Sequence, residues 1–248
     1  DLHNNLIALP ALERAARGGP LLFAGDLTDR GSPVEQALVL RVARAGSQLV
    51  FVSGNHDSDV LERKLARTGA LVLTRGGRLR ANGTVDGRVV QSVAGVRIAG
   101  YDDPLKRLAS EGYADNGADY TQAEQQRFAA WLQPLRGTVD IVMVHAPALA
   151  QVALQSLRDD PPDAPLVLVE GHTHKPSLEP LGTVTVLNPG SVGGGGTGNL
   201  AEDGGDIGLA RLTFTRLPSF VPRAADLVEI DPGDGAAQAR RFRLDPDA

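Results

Sequence analysis

Short apolar runs alternate with segments of helical periodicity in the first two thirds of the chain. Runs of mostly branched residues predict four buried strands, at 21–24, 48–52, 140–144 and 165–169. Apolar residues recur at helical spacing in 33–45 and 58–68, where Ser32 and Ser58 are suitable N-caps. Strands that alternate with helices in this way predict an α/β fold.

The pattern later changes to strands joined by turns. Further strands are predicted at 88–92, 96–99, 183–187, 208–214, 226–230 and 239–244. One more helix is predicted at 121–132, because Thr121 and Glu124 form a capping-box signature. Between strand-like runs, Asn82-Gly83 predicts a hairpin turn rather than a glycosylation site.

Each of the four early strands ends at a short polar motif, and all five histidines of the chain lie in or beside such motifs. The motifs are Asp1-Leu2-His3, Gly25-Asp26-Leu27-Thr28-Asp29-Arg30-Gly31, Gly54-Asn55-His56-Asp57, Val144-His145 and Gly171-His172-Thr173-His174. In an open α/β sheet the carboxyl ends of the strands share one edge, so these motifs are expected to meet there. Scattered histidines would have left several outside such motifs, so their concentration indicates a metal site.

The residue types limit which metal the site can hold. Imidazole with carboxylate and amide oxygen suits Mn, Fe and Zn, and the absence of cysteine excludes a structural zinc finger. Seven side chains are candidate ligands: Asp1, His3, Asp26, Asn55, His145, His172 and His174. Since seven are too many for one tetrahedral ion, the sequence predicts two divalent or trivalent transition-metal ions that share a carboxylate.

The order and residue identities of these motifs resemble those of the calcineurin-like metallophosphoesterase superfamily, whose pattern is D-x-H, G-D-x-x-D, G-N-H-D/E, H and G-H-x-H. The resemblance spans residues 1–191 and includes the turn Asn188-Pro189-Gly190-Ser191. It implies a four-layer αββα sandwich of two mixed β-sheets flanked by helices. We therefore predict a single domain over 1–248, with 101–132 a loop and helix insertion near the site and 208–244 strands that complete a sheet.

The resemblance also implies roles for the motif residues. Asp1, His3, Asp26 and His174 would hold one metal, and Asp26, Asn55, His145 and His172 the other, so that Asp26 bridges. His56 would serve the leaving group, and Asp29 or Asp57 would orient its ring. Arg30 has a planar donor fork suited to phosphate oxygens, although an exposed or salt-bridged role is an even alternative. Asn5 matches a family position near the substrate, but its place ahead of Pro10 favours a helix N-cap.

These residues imply a metal-dependent phosphoesterase in which a metal-bridging hydroxide attacks a phosphomonoester or phosphodiester. Two alternatives stay open, a cyclic-nucleotide phosphodiesterase of the same superfamily and a non-catalytic binding module on the same fold. Members of the second class tend to lose the His56 equivalent or some ligands, whereas this chain retains all of them. The motifs do not distinguish a monoester from a diester.

Composition and charge limit the partners. The net charge of −5 gives no strong nucleic-acid signal, so a small-molecule phosphate ester is the expected partner. No apolar run is long enough to span a membrane. In the family a strand precedes the Asp-x-His motif, so we expect the domain to be incomplete before Asp1; a membrane tether would have to lie there, and the localisation stays open.

Overall fold

The apolar runs form three β-sheets in a computed structural model, which describes residues 1–108, 119–193, 207–231 and 233–244. The first sheet holds β1 (Pro20–Ala24), β2 (Gln48–Val52), β3 (Leu71–Thr74) and β4 (Gly77–Leu79), in that order. The strands β1, β2 and β3 are parallel, and β4 returns antiparallel to β3. The apolar strands predicted at 21–24 and 48–52 are therefore neighbours in one sheet.

The second sheet has six strands in the order β5-β6-β7-β8-β10-β9. Their bounds are β5 (Gln91–Val93), β6 (Val96–Tyr101), β7 (Ile141–Val144), β8 (Leu166–Val169), β9 (Pro176–Leu181) and β10 (Val184–Pro189). The four central strands are parallel, and β5 and β9 form antiparallel edges. Every residue of β7 and β8 is buried, as expected for parallel strands covered on both faces.

The last three strands form a sheet of their own. They are β11 (Ile207–Thr215), β12 (Val221–Ile230) and β13 (Ala237–Arg243), paired antiparallel in sequence order. The strands predicted to complete a sheet over 208–244 form this separate sheet, because each strand pairs with its neighbour along the chain and none joins another ladder among the described residues. Antiparallel neighbours can be linked by short turns, which favours this local pairing.

Helices cover the outer faces of the two larger sheets. The helices α1 (Leu9–Ala16), α2 (Pro33–Val39) and α3 (Asp59–Arg67) pack on the first sheet, where Leu12, Val39 and Leu65 meet Phe51 in one buried cluster. The helices α4 (Gln122–Leu132) and α5 (Pro147–Asp159) pack in the same way on the second sheet. A third cluster fills the space between the sheets, so the four-layer αββα arrangement is confirmed.

One glycine allows the two sheets to approach closely. A Cβ atom on Gly100 of β6 would lie 2.6 Å from Cβ of Leu73 on β3, well inside van der Waals contact. Larger side chains around it, including Val52 and Ile98, fill the remaining space between the sheets. Gly100 therefore sets how near β6 comes to β3.

The local signals at the helix ends agree with the sequence. Ser32 and Ser58 cap α2 and α3, and Thr121 with Glu124 forms a complete capping box on α4. The α4 helix lies within the predicted insertion 101–132, and its residues Phe128 and Leu132 are buried in the layer that it shares with α5. Residues 109–118 of the stretch 101–132 lie outside the described residues. None of the helices described is both long and apolar enough to cross a bilayer.

Glu170, directly after β8, gives the fold an expected pH dependence. It is buried beside apolar residues such as Leu22 and Leu187, and its Oε1 has no hydrogen-bond partner among the described residues. Burial, with a smaller contribution from the charge of Glu179, raises the pKa of Glu170 to about 7 from 4.5. The unfolded chain therefore releases this proton first, and stability falls as the pH rises from the unfolded value to the folded one.

We expect Glu170→Gln to stabilise the protein in alkaline solution. Above about pH 7 the gain in unfolding free energy should reach the order of 1–3 kcal/mol, and it should shrink as the pH falls toward the ordinary carboxyl range. Urea unfolding at several pH values, with a chelator present throughout, measures this difference. Glu179→Gln is the control, because it removes only the charge that makes the smaller contribution to the raised pKa of Glu170. A gain that does not change with pH would contradict the titration of Glu170.

Candidate metal centre

The polar motifs meet at one edge of the fold, as the strand pattern predicted. Asp26 follows β1, Asn55 follows β2, His145 follows β7 and His172 follows β8. The segment at Asp1–His3 is held against them by main-chain hydrogen bonds, from the N–H groups of Leu2 and His3 to the carbonyl oxygen of Asp26 at 2.7 and 3.1 Å. Both sheets thus contribute side chains to a single cluster.

Asp1, His3 and His174 form the first group of potential ligands. Nε2 of His3 lies 3.0 Å from Nε2 of His174, which in turn lies 3.0 Å from Oδ2 of Asp1. All three ligand atoms lie within 4.8 Å of one another. Ligands that sit about 2.0–2.2 Å from a shared ion are separated by such distances, so this group fits one transition metal.

Asp26, His145 and His172 form the second group. Nε2 of His145 lies 3.1 Å from Oδ2 of Asp26, 3.2 Å from Nδ1 of His172 and 3.0 Å from Oδ1 of Asn55. Two imidazoles, a carboxylate and an amide oxygen therefore converge. This donor set is suited to Mn, Fe or Zn.

Asp26 lies between the two groups. Its Oδ1 accepts a hydrogen bond of 2.9 Å from the main-chain N–H of His56, which fixes the orientation of the carboxylate. Its Oδ2 then points to Nε2 of His145 at 3.1 Å and to Nε2 of His3 at 3.9 Å. One oxygen atom of Asp26 is therefore within reach of both ligand groups.

The backbone of the centre is held in an uncommon conformation. Seven non-glycine residues of the described chain have positive φ, and four of them are candidate ligands: His3, Asp26, His172 and His174. Such positions cost free energy and are concentrated at functional sites. A Cβ atom on Gly171 would lie 2.7 Å from Oδ1 of Asp1, so the backbone also makes room for this carboxylate.

Buried atoms at the centre support the assignment of a bound cation. Oδ1 of Asp1 is buried and has no hydrogen-bond partner among the described residues. A buried carboxylate oxygen without a partner is costly unless a cation satisfies it. The donor types and spacing of both groups therefore fit metal binding, and this unsatisfied oxygen supports a cation at the group of Asp1.

Burial and charges within the centre strongly shift the pKa values of its histidines. Burial opposes protonation of His145, but the adjacent Asp26 carboxylate outweighs it and raises the pKa of His145 to about 9. Burial and the charge of His145 lower the pKa of His172 to about 4. Burial also lowers the pKa of His174 to about 4. Two of the histidines are thus neutral near pH 7, as metal ligands must be, whereas His145 would have to release a proton to bind a metal.

His56 lies beside the ligands, with its ring centroid 5.5 Å from that of His3. Its Nδ1 lies 2.6 Å from the main-chain carbonyl oxygen of Asp29. Because a carbonyl oxygen only accepts, Nδ1 carries the hydrogen and Nε2 is left for other contacts. The ring is therefore oriented by a main-chain group of Asp29.

The two carboxylates expected to orient His56 have other contacts in the structure. Oδ1 of Asp29 lies 2.9 Å from Nδ1 of His3, so this carboxylate orients a candidate ligand. The Asp57 carboxylate is buried and accepts hydrogen bonds from the main-chain N–H groups of Thr28 and Gly54. Burial and the nearby charge of Asp26 raise the pKa of Asp57 to about 7. Asp57 thus ties together the loops that follow β1 and β2.

Two other polar residues, Arg30 and Asn5, were considered for a position near the substrate. The side chain of Arg30 is exposed, and no contact with a candidate ligand is found for it among the described residues. Asn5 lies at the N-cap of the short 3-10 helix Leu6–Ala8, but its side chain makes no capping bond and donates instead to the carbonyl oxygen of Val192 at 2.7 Å. A tertiary contact has replaced the local one.

Sequence reasoning missed three polar side chains that lie near the centre. Asp103 is buried and accepts a hydrogen bond of 2.6 Å from the hydroxyl of Tyr120, whose ring centroid lies 6.5 Å from that of His172. Nη2 of Arg107 lies 3.4 Å from Nδ1 of His56. Asp103, Arg107 and Tyr120 all lie in the polar stretch between β6 and α4. The polarity of this stretch is the sequence feature that could have indicated them.

Comparison with protein families identifies the class of this fold and site. The model of the calcineurin-like phosphoesterase superfamily domain matches residues 1–201. The match covers most of the chain and every candidate ligand. The chain therefore belongs to the calcineurin-like phosphoesterase superfamily.

Individual relatives are distant. A search of curated protein sequences finds no match. Among solved structures, the chain is similar to a putative 5'-nucleotidase from Staphylococcus aureus at 14% identity and a TM-score of 0.48, with 98% of this chain and 49% of that one covered. It is also similar to Vacuolar Protein Sorting 29 from Cryptosporidium parvum at 16% identity and a TM-score of 0.43, with 96% and 88% covered. The phosphopantetheinyl hydrolase of Mycobacterium tuberculosis has 14% identity and a TM-score of 0.44, with 75% and 85% covered.

Proposed function

We propose that the protein is a dinuclear metal-dependent phosphoesterase that hydrolyses a small-molecule phosphomonoester or phosphodiester. The observation that carries the proposal is the position of Asp26, whose Oδ2 lies within 3.9 Å of a histidine from each ligand group. A carboxylate shared between two histidine-containing groups would hold two ions close together. When bound, such a pair supplies an activated water for attack on phosphorus and positive charge for the phosphate oxygens.

The protein's own side chains complete the proposed site. The first ion would be held by Asp1, His3, Asp26 and His174, and the second by Asp26, Asn55, His145 and His172. Asp29, through Nδ1 of His3, keeps that ring turned so that Nε2 faces His174. These contacts fix the ligands before a substrate arrives.

His56 is proposed to serve the leaving group. Its Nδ1 donates a hydrogen bond to the carbonyl oxygen of Asp29, so Nε2 is directed away from that contact. From there a protonated Nε2 can donate to the leaving oxygen as the bond to phosphorus breaks. Asp57 acts indirectly in this proposal, because it fixes the loop that carries His56 through bonds to Thr28 and Gly54. Arg30 stays a candidate for contact with phosphate oxygens, since its exposed guanidinium is free to reach a ligand at the surface.

Hydrolysis of simple esters by the metal-loaded protein tests the proposal. The purified chain, loaded with Mn, Fe or Zn, is expected to hydrolyse p-nitrophenyl phosphate, bis-p-nitrophenyl phosphate or a cyclic nucleotide, and a chelator should abolish the activity. Arg88→Gln, which changes an exposed arginine in the loop before β5, is the control for effects of purification and of losing one positive charge. A protein that holds two ions and hydrolyses none of these esters with any of the three metals would refute the proposal.

A further inference from the structure

Arg107 is a buried cation without a matching anion. Only 4% of the residue is exposed, and no carboxylate of the described residues lies within salt-bridge distance of its guanidinium. Its Nε and Nη1 are buried and have no hydrogen-bond partner among the described residues. An isolated buried charge is strongly unfavourable, and in proteins such a group is normally paired.

The one polar contact found for Nη2 does not satisfy it either. Nη2 lies 3.4 Å from Nδ1 of His56, but that nitrogen already has its hydrogen directed at the carbonyl oxygen of Asp29, 2.6 Å away. Two donors therefore face each other, and no hydrogen bond forms between them. None of the three guanidinium nitrogens has an acceptor within the described parts of the chain.

The main chain holds Arg107 in this position. Its N–H donates to the carbonyl oxygen of Asp57 at 2.8 Å, and its own carbonyl oxygen accepts from the N–H of Asp59 at 3.1 Å. Arg107 also forms an isolated parallel β-bridge with Ser58, the N-cap of α3. The backbone of Arg107 is therefore tied to the loop that carries Asn55 and His56, and its unsatisfied donors are fixed beside the metal centre.

We propose that Arg107 binds a second anionic group of the substrate, carried by the leaving group. This inference rests on the proposed function, in which the reacting phosphate lies at the metals and His56 faces the leaving oxygen. Arg107 adjoins the same ring, so an anion that it binds would belong to the part of the substrate nearest His56, which is the leaving group. The preferred substrates are then phosphate esters or anhydrides whose leaving group carries a phosphate or a carboxylate.

The geometry of the guanidinium suits this class of ligand. A planar fork with several free donors binds a carboxylate or phosphate through two parallel hydrogen bonds, and such charge-assisted pairs are the strong ones. In the hydrolysis, water oxygen bonds to phosphorus while the bond from phosphorus to the leaving oxygen breaks. The electron pair stays on that oxygen, which takes a proton from His56. Arg107 takes no part in these bond changes and holds only the far anion.

Competitive inhibition tests the proposal without knowledge of the natural substrate. The probes are phosphonoacetate, 3-phosphonopropionate and 4-phosphonobutyrate. Each is compared with the alkylphosphonate that has a methyl group in place of the carboxylate, which is ethyl-, propyl- or butylphosphonate. Hydrolysis of p-nitrophenyl phosphate by the metal-loaded protein is the readout. We expect at least one carboxylated probe to inhibit the wild type about tenfold more tightly than its matched partner, in line with a charge-assisted pair.

The variants separate anion binding from a structural role. Arg107→Gln should erase the preference and leave inhibition by the alkylphosphonates unchanged, whereas Arg107→Lys should keep part of it because the charge remains. Arg107→Gln should also keep its metal content and melting temperature, since it removes an unpaired buried charge. Arg88→Gln should behave as the wild type.

Two results would overturn the inference: a wild type that prefers none of the carboxylated probes, or a preference that survives in Arg107→Gln. If the metal-loaded wild type hydrolyses no ester at all, the proposed function fails. Calorimetric binding of the same probes to the wild type and to Arg107→Gln then still decides whether Arg107 holds an anion.

Discussion

Replacing Asp26 by Asn is expected to remove both metal ions, and not only one. The substitution keeps the size of the side chain and an oxygen that can accept from the main-chain N–H of His56, so the local backbone is preserved. It removes the negative charge of the carboxylate whose Oδ2 lies near His3 and His145. The affinity for each ion should fall by more than the roughly 10–100-fold that the loss of an outer-shell partner costs.

Two matched variants distinguish the loss of a bridging ligand from the loss of a ligand to one ion. His174→Ala should weaken mainly the ion held with Asp1 and His3, because its Nε2 belongs to that group alone. Asp29→Asn removes the carboxylate behind Nδ1 of His3 and should weaken the same ion by the smaller outer-shell amount. Metal analysis after gel filtration, with titration calorimetry, measures the number of ions and their affinities. An Asp26→Asn protein that retains two tightly held ions would rule out the shared carboxylate.

The location of the centre was predictable from the sequence because it depends on strand direction. Asp26, Asn55 and His145 each follow an apolar run that was recognisable as a buried strand. The carboxyl ends of parallel strands meet at one edge, so the residues after them must be close together. The division of the ligands between two ions was implied instead by the resemblance to the phosphoesterase family.

Elements at the edges and on the outside of the fold were harder to predict. The strand β9 contains Pro176 and Pro180 and alternates polar and apolar residues, which argues against a central strand but is compatible with its place at the edge of the second sheet. The short strands β3 and β4 pair across a tight turn at Arg75 and Gly76, and Gly77 directly after the turn has a φ of 119°. The helix α5 has its buried residues at helical spacing, a pattern that is readable from the sequence.

The contacts around His56 could not be read from residue types. The sequence suggested a carboxylate as the group that orients this ring, but the structure places a main-chain carbonyl there and turns the Asp29 carboxylate toward His3. Every residue has a carbonyl oxygen, so no residue type signals this role. Arg107 was missed for a related reason, since its importance lies in the partners that it lacks.

Replacing His56 by Gln is expected to lower turnover and leave the metals in place. His56 is not a member of either ligand group, and its main-chain N–H, which fixes Asp26, remains in the variant. The Gln amide can still donate to the carbonyl oxygen of Asp29, but it cannot transfer a proton to the leaving oxygen. We expect kcat to fall by roughly 10²–10⁴, the usual contribution of general acid–base catalysis, with two ions still bound.

The size of that loss should depend on the leaving group. An alkoxide needs a proton more than p-nitrophenolate does, so the loss with an alkyl phosphate should exceed the loss with p-nitrophenyl phosphate. Steady-state kinetics of both substrates, with metal analysis of the same protein samples, measures this, and Arg88→Gln should show the wild-type rates. An equal loss for the two leaving groups would exclude proton donation by His56, and a loss of metal together with activity would place the residue among the ligands instead.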